Sequence, residues 1–477
     1  MGQVVVNESA PVLVGNYCGM RNNLLTNIGA GMMRNAIFSV AILSLFTVIF
    51  AMPGRALAVP SFAQQTGQPC SACHVGAFGP QLKPYGRDFK LFGYQSSDDK
   101  SHVPPIAAML MTSLTHTDKD QSPPPAPNFG PNDNVALDQI SLFYAGKLGA
   151  GFGAFVQGTY DGVGRVFNLD NFDVRRAKEF KLFGKDAVGA IDINNNPTVE
   201  DPWNTTPAWG FPYSASAVAP GPSAATLVDG GLEHLVVGTG AYVLWDQHVY
   251  VDAAAYVPLA RHVAGWLGEG VDDTSDRYRG VIPYGRIAYV HDRDNAESQT
   301  WEVGAYGIRA RRNPGGDSSQ GADTFSDWGV DGTYQYIGDG THVVSAHATY
   351  IHEDQDLMAS AVLFGTNRRN TLKTARADVS YSYKNTWTPS VQVFTTQGSN
   401  DPAFYGSGVR TTGYILELAY IPFGKPDSPI YWANTRLAVQ YVGYRKFNGE
   451  KRGATANNTL FLNLWVALAP FGSMVHR

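Results

Sequence analysis

Apolar and polar residues alternate along much of the chain after Ile106, and this period of two is the feature that most restricts its fold. Between residues 375 and 384 the odd positions are apolar and the even positions are polar, a pattern that only a β-strand presents as two faces. The alternation recurs at residues 249–257, 414–420, 433–441 and 460–468, and more weakly near 137–148, 151–160, 231–245, 281–291, 300–310 and 341–352. About sixteen strands over residues 106–468 leave about 23 residues for each strand and its connection, the spacing of an open transmembrane barrel. The sequence therefore predicts an all-β fold, a transmembrane β-barrel over residues 106–468.

Composition and turn signals favour a barrel in lipid over a soluble sheet. Only 16% of the 477 residues are charged, whereas 44% are hydrophobic. A soluble β-sandwich or propeller also alternates, but it would carry more surface charge, and no repeat of about 40 to 50 residues marks propeller blades. Short turn-forming sequences near 148–151 and 384–386 predict tight turns at one end of the barrel. Long polar stretches predict loops at the other end, at residues 195–230, 258–280, 311–324 and 353–370. We expect a porin-like barrel in outer-membrane lipid, with aromatic residues such as Trp301, Tyr420 and Trp432 at its interfaces.

The N-terminal region contains an export signal. The apolar run at residues 36–51 is sixteen residues long, shorter than the roughly 20 that span a bilayer as a helix. Arg34 precedes it, and residues 56–58 form an A-x-A cleavage site. We therefore interpret residues 1–31 as an upstream extension that is not necessarily translated and residues 32–58 as a signal peptide, so that the mature chain begins at Val59. A membrane anchor is the alternative interpretation.

Cys70, Cys73 and His74 form a C-x-x-C-H motif shortly after that signal. Two thiols three residues apart on one turn reach both vinyl groups of a haem, and the adjacent histidine ligates the iron. A structural zinc site would need further ligands, a thioredoxin-like dithiol would need a βαβ context, and chance is a weak explanation for a pentapeptide that contains both mature cysteines. The motif predicts one covalent haem c, with Cys70 and Cys73 as thioether attachments and His74 as the proximal iron ligand.

The haem segment, residues 59–105, is near the size below which a domain needs a metal, a disulfide or a partner surface to fold. It should therefore pack against the rest of the chain. Met109 and Met111 share one parity of the first predicted strand, so both face the pore if the opposite parity faces lipid. Either thioether is a candidate distal ligand, and His102 in the linker and His116 are the rivals.

Several stretches resemble a known family when taken together. The residues before the motif and those at 81–94, with the stretches at 420–424, 432–436, 444–449 and 457–460, are similar to the fused monohaem cytochrome–porin family, whose best-known members are outer-membrane iron oxidases. The resemblance implies a sixteen-stranded porin whose lumen is plugged by a small cytochrome. It also implies electron transfer from outside the cell to periplasmic acceptors. Family members usually end on an aromatic residue of the last strand, whereas here a tail, residues 469–477, follows Leu468.

We therefore expect an outer-membrane cytochrome–porin fusion that passes electrons from extracellular Fe(II), or another donor, to a periplasmic cytochrome. One-electron transfer needs no acid, base or nucleophile, so no catalytic side chain is predicted, and the net charge of −5 gives no footprint for nucleic acid. The acidic loop residues are either solvated charges or transient ferrous ligands: Asp272, Asp273, Asp276, Glu353, Asp354 and Asp356. The alternatives are a diffusion porin with a structural or sensory haem and a surface haem oxidoreductase for another donor.

Overall fold

The computed structural model describes residues 60–97, 104–272, 274–293, 299–429 and 433–468. The predicted upstream extension (1–31), the signal peptide (32–58) and the C-terminal tail (469–477) lie outside these residues. His102, Asp273 and Trp432 lie outside them as well.

The chain from Ile106 onward forms a closed antiparallel β-barrel. Its strands are β1 (Ile106–Thr117), β2 (Asn134–Gly149), β3 (Phe152–Asp161), β4 (Val166–Leu182), β5 (Lys185–Asn194), β6 (Val236–Trp245), β7 (Val249–Pro258), β8 (Arg277–Arg279), β9 (Ile282–Arg293), β10 (Gln299–Asn313), β11 (Asp323–Tyr336), β12 (His342–Asp356), β13 (Arg369–Tyr383), β14 (Trp387–Gly398), β15 (Thr411–Tyr420), β16 (Ala433–Lys446) and β17 (Thr459–Leu468). The first strand pairs with the last, which closes the barrel. The three-residue β8 only extends the ladder at the end of β10, and β7 pairs directly with β9. Sixteen full strands therefore form the wall, and the predicted fold is confirmed.

The two faces of each strand differ in chemistry, as β13 illustrates. Asp378, Ser380 and Ser382 are buried on the lumen side. Between them, Val379 and Tyr381 are 44% and 36% exposed on the outer side. A protein in water would hide such residues, whereas hydrocarbon is a favourable surrounding for them. The barrel is therefore embedded in lipid, and its location is the bacterial outer membrane.

Short and long connections lie at opposite ends of the barrel. Tight turns join β4 to β5, β6 to β7 and β13 to β14. In the last of these the Thr386 N–H donates to the Tyr383 carbonyl, and the two central residues, Lys384 and Asn385, both have positive φ angles (52° and 50°), as a type I′ turn requires. Most connections at the other end are long, including those between β5 and β6 and between β7 and β8. Short turns face the periplasm and long loops face the exterior in barrels of this type. The chain enters β1 from the turn end.

Short helices precede the barrel and occupy its loops. The N-terminal segment forms α1 (Pro60–Thr66), α2 (Cys70–Cys73), a 3-10 turn (Val75–Ala77) and α3 (Pro84–Leu91). The loops contain α4 (Arg261–Trp266), α5 (Met358–Phe364) and α6 (Pro402–Tyr405), with 3-10 turns at Pro207–Trp209, Pro314–Gly316 and Ala454–Asn457. Among the described residues, no helix has the length and apolar character needed to cross a membrane.

Candidate functional site

The C-x-x-C-H motif lies on α2 and the residue that follows it. Cys70 and Cys73 begin and end this single helical turn, and they are not joined in a disulfide. His74 leaves the helix in an extended conformation (φ −115°, ψ 142°), while its backbone N–H still donates to the Cys70 carbonyl at 2.8 Å. The two thiols therefore lie on one turn, and the imidazole begins on the residue where the chain turns away from it.

The segment that follows the motif folds back and fixes its backbone. The Val75 N–H donates to the Gln81 carbonyl at 3.0 Å, and the Lys83 N–H donates to the Cys73 carbonyl at 2.8 Å. Gly86 on α3 comes so near that a Cβ atom there would lie 2.5 Å from the Cys73 carbonyl oxygen. Residues 70–91 thus form one interlocked unit, in which α3 packs directly on α2.

The barrel contacts the motif from the start of β16 and from the connection that precedes it. The Asn434 amide nitrogen lies 3.0 Å from Cys70 Sγ and donates to the Ala77 carbonyl at 2.7 Å. The Ser71 N–H donates to the Gly424 carbonyl at 3.0 Å, and a Cβ at Gly424 would lie 3.0 Å from Cys70 Sγ. Gly424 and Asn434 therefore both contact the motif. Sequence reasoning gave these residues no role.

The electrostatic environment keeps the motif neutral. Burial lowers the pKa of His74 to about 4, against a smaller upward effect of the Gly79 backbone, so the imidazole is uncharged at neutral pH. Its Nδ1 atom is buried and has no hydrogen bond of ordinary geometry within the described residues. Burial, reinforced by the neighbouring Cys70, raises the pKa of Cys73 to about 12. A neutral imidazole beside two thiols on one turn is the donor set that a covalently attached haem requires, so these residues fit that group.

The two methionines of β1 have the predicted orientation. Met109 and Met111 are both buried on the lumen side, and across the barrel seam they pair with Ala467 and Trp465. Ala467 belongs to the same buried cluster as Cys70, and the Trp465 ring packs on the edge of Phe78 at 5.0 Å. Both thioethers therefore belong to the stretch of wall that borders the motif.

His116, the rival on the same strand, has the opposite parity. It faces outward with its side chain 46% exposed, and its Nδ1 lies 2.7 Å from Asp133. This orientation removes it from the candidate ligands.

The N-terminal segment is bound to the lumen wall beyond the motif. Arg87 donates to Gln335 on β11 at 3.2 Å, and the Tyr94 hydroxyl donates to Asp173 on β4 at 2.6 Å. Lys90 donates to the Asp201 carbonyl at 2.7 Å, and burial followed by the nearby Arg175 lowers its pKa to about 7. The segment thus contacts strands on several sides of the turn-end half of the lumen.

The β5–β6 loop, residues 195–235, also lies in the lumen. Its Asn204 amide donates to the Pro80 carbonyl of the N-terminal segment at 2.6 Å. Further along, its carbonyls and amides bond to inward side chains of β14, β16, β12 and β11, through the pairs Phe211–Gln392, Ser214–Gln440, Leu227–Glu353 and Val228–Asp327. The sequence predicted a loop here but not its path across the lumen.

Five of the six acidic residues considered as ferrous ligands lie in the described part of the chain, and they are not gathered into one site. Glu353, Asp354 and Asp356 belong to β12, whereas the sequence had predicted a loop for them. Asp276 pairs with Arg312 at 2.9 Å, Asp354 lies 3.2 Å from His352, and Asp356 pairs with Arg368. Asp272 accepts hydrogen bonds within its own turn, and Glu353 accepts from the Leu227 N–H. A different set, which sequence reasoning missed, does come together: Asp170, Glu233 and His234.

Comparisons with known proteins find similarity to solved porin structures at low identity. No protein-family model matches the chain, and no curated protein sequence matches it. The anion-selective porin from Comamonas acidovorans is 10% identical, with 76% of this chain and 98% of that chain covered and a TM-score of 0.43. Pseudomonas putida OprB is 10% identical (76% and 93% covered, TM-score 0.45), and Salmonella typhi OmpF is 11% identical (76% and 97% covered, TM-score 0.43). The fold assignment rests on the closed strand order of this chain itself.

Proposed function

We propose that this protein carries electrons across the outer membrane, from an extracellular one-electron donor to a periplasmic carrier, with one haem c attached at Cys70 and Cys73. Fe(II) is the donor that the family resemblance favours. The proposal is carried by one observation: a C-x-x-C-H motif, with both thiols on one turn and a neutral histidine next to them, lies against the lumen wall of a membrane barrel.

The residues around the motif have separable roles in this proposal. A haem bound there supplies a reversible one-electron centre. Cys70 and Cys73 would hold it in place, and His74 would offer a neutral imidazole to the iron because burial keeps its pKa at about 4. Met109 and Met111 would be candidate second ligands, as would His102, which lies outside the described residues; a thioether ligand would raise the potential relative to a second histidine.

The barrel makes the transfer possible because electrons and hydrated ions do not cross roughly 30 Å of hydrocarbon unaided. One electron leaves the donor, so that Fe(II) becomes Fe(III), and one electron reaches the periplasmic carrier. No proton or covalent bond changes hands. The scheme therefore requires no acid, base or nucleophile in the lumen.

A passive channel is the second candidate, and the barrel architecture supports it without any further assumption. The contents of the lumen limit the path for solutes, since the N-terminal segment and the 195–235 loop both bond to inward-facing side chains. Conductance in planar bilayers separates the two candidates. A large steady conductance, with no electron transfer to a periplasmic cytochrome, would favour the channel.

The direct test uses the mature chain produced with haem maturation and purified in detergent. The oxidised protein should be reduced by Fe(II) under anaerobic conditions, observed in the haem absorption bands. Failure with Fe(II) at every pH, alongside ready reduction by dithionite, would exclude iron as the donor. Replacing both Cys70 and Cys73 by serine should remove the haem spectrum while the barrel remains heat-modifiable. The outward His116→Ala variant is the matched control and should keep both properties. Met109→Leu and Met111→Leu should differ in the haem potential if only one of them is a ligand.

A further inference from the structure

A cluster of one histidine and three carboxylates lies toward the loop end of the barrel, apart from the C-x-x-C-H motif. Asp170 is on β4, Glu233 and His234 end the 195–235 loop, and Glu269 follows α4 in the connection to β8. None of these residues takes part in the proposed haem site. Three separate parts of the chain converge on one imidazole.

The ligand atoms are close together. His234 Nε2 lies 3.1 Å from Asp170 Oδ1 and 3.5 Å from Glu233 Oε1, and the candidate ligand atoms of these three residues are all within 4.8 Å of one another. On the other side of the ring, His234 Nδ1 lies 3.3 Å from Glu269 Oε1. A metal ion bound to one nitrogen and two carboxylate oxygens needs its ligands at such separations, with small closing movements to about 2.1 Å from the metal.

Two buried atoms in the cluster lack a hydrogen bond. His234 Nε2 faces Asp170 and Glu233 at ion-pair distances, but neither contact has hydrogen-bond geometry. Against the effect of burial, these carboxylates and Glu269 raise the pKa of His234 to about 11, so a bound metal ion would take the place of its proton. Glu269 Oε1 is also buried, and its contact with His234 Nδ1 at 3.3 Å likewise lacks good hydrogen-bond geometry. Buried polar atoms normally make well-directed hydrogen bonds, so these poorly directed contacts leave room for a metal ion between the same side chains.

The surrounding residues hold these side chains in their orientations. Asp170 is the extra residue where the β3–β4 ladder shifts register, and such a bulge turns a side chain out of the regular alternation. Thr159 donates to the second Asp170 oxygen at 2.8 Å, and Asn196 donates to Glu233 at 3.0 Å. These supporting bonds are of the kind that orient metal ligands.

We propose that Asp170, Glu233 and His234 bind a divalent transition-metal cation at the extracellular mouth of the barrel, with Glu269 supporting the histidine. The mixed nitrogen and oxygen set favours Fe(II), Mn(II) or Zn(II) over calcium or magnesium, which prefer oxygen ligands alone. The choice of ferrous ion as the occupant rests on the proposed function: Fe(II) would bind here before it donates its electron.

The binding test uses the haem-loaded full protein in detergent. Mn(II) binding measured by electron paramagnetic resonance should show one site per chain, and Fe(II) should compete for it under anaerobic conditions. His234→Gln and Asp170→Asn should each weaken Mn(II) binding at least tenfold. The control is Asp317→Asn, an exposed carboxylate at the same end of the barrel, which should leave binding unchanged. Heat-modifiability checks that each variant is folded.

The outcomes separate this inference from the electron-transfer proposal. Absence of a specific Mn(II) site, or binding that His234→Gln does not weaken, would overturn the metal site and leave the haem proposal intact. Specific Fe(II) binding without haem reduction would keep the site and remove its role as the donor's entry. If both hold, His234→Gln should raise the Fe(II) concentration for half-maximal reduction about tenfold, with no change in reduction by dithionite.

Discussion

Gly86 tests whether α3 fixes the position of the cysteine motif. A Cβ at this position would lie 2.5 Å from the Cys73 carbonyl oxygen, and the gap must widen by about 0.9 Å to reach 3.4 Å, where ordinary contacts begin. That oxygen is also bonded to the Lys83 N–H at 2.8 Å, so the backbone has little freedom to move. Overpacking of this kind costs about 1–3 kcal/mol, and the gain in helix propensity from glycine to alanine returns up to about 1 kcal/mol. Gly86→Ala should therefore destabilise the packing of α2 on α3 by about 1 kcal/mol.

The assay is maleimide labelling of the chain from Val59 onward, produced without haem maturation, because Cys70 and Cys73 are then its only cysteines. A loss of about 1 kcal/mol raises the population of the open segment, and hence the labelling rate of buried Cys70, roughly fivefold. Gly265→Ala is the matched control, since Gly265 is also helical but a Cβ there meets nothing within 4 Å. If Cys70 in the Gly86→Ala variant is labelled no faster than in the control, α3 does not fix the position of the motif in this way.

Three further predictions concern the contacts of the lumen. Asn434→Ala leaves the buried Ala77 carbonyl without its hydrogen bond and removes the contact with Cys70. The free energy of unfolding should fall by about 1–3 kcal/mol, measured as a lower urea midpoint for loss of the heat-modifiable form. An unchanged midpoint would contradict this prediction. Arg286→Met leaves the buried carboxylates of Glu302 and Asp331 without their ion-pair partner, at a cost of about 3–5 kcal/mol in stability. The temperature at which the barrel unfolds in detergent should fall. An equal or higher unfolding temperature would show that these ion pairs are not needed for stability. Burial lowers the pKa of Lys90 to about 7 in the folded chain, below its ordinary value of 10.5, so the unfolded chain binds more protons between these values. The free energy needed to open the N-terminal segment should therefore rise by up to about 1.4 kcal/mol per pH unit between pH 7 and pH 10, which should be observed as slower proteolysis. A Lys90→Met variant should show a weaker dependence on pH.

The barrel was predictable from sequence because its signal is local. A strand presents alternate residues to opposite faces, so the parity of Val379 against Ser380, or of Met109 against Leu110, is visible in the sequence itself. The count of sixteen strands followed from the same periodicity. The side chains of β1 that face the lumen could be predicted without knowing which strands pair with β1.

The path of the 195–235 loop was not predictable in this way. A polar loop has the same composition whether it extends into solvent or lies in a polar lumen. The contacts that hold it inside, such as the Leu227 N–H to Glu353, join residues far apart in the chain. They depend on the closure of the barrel and not on any pattern within the loop.

The candidate site was predictable only in part for the same reason. The spacing of Cys70, Cys73 and His74 is local and identifies the motif, whereas Asn434 approaches Cys70 from 364 residues away. The cluster around His234 depends on a bulge in β4 that no residue pattern marks. The residue spacing of the motif could be predicted from the sequence, whereas the contacts between residues distant in the chain could not.

The seam between β1 and β17 has a consequence for biogenesis. Ten residue pairs, from Ala108–Leu468 to Thr117–Thr459, join the earliest strand to the latest one, so the cylinder is complete only when the final strand has docked. The N-terminal segment that precedes β1 leaves the ribosome before any strand and finishes against the lumen face of strands that include β4, β11 and β16. The closing wall would enclose the proposed haem at Cys70 and Cys73, so we expect haem attachment to precede the docking of β17 and closure of the barrel.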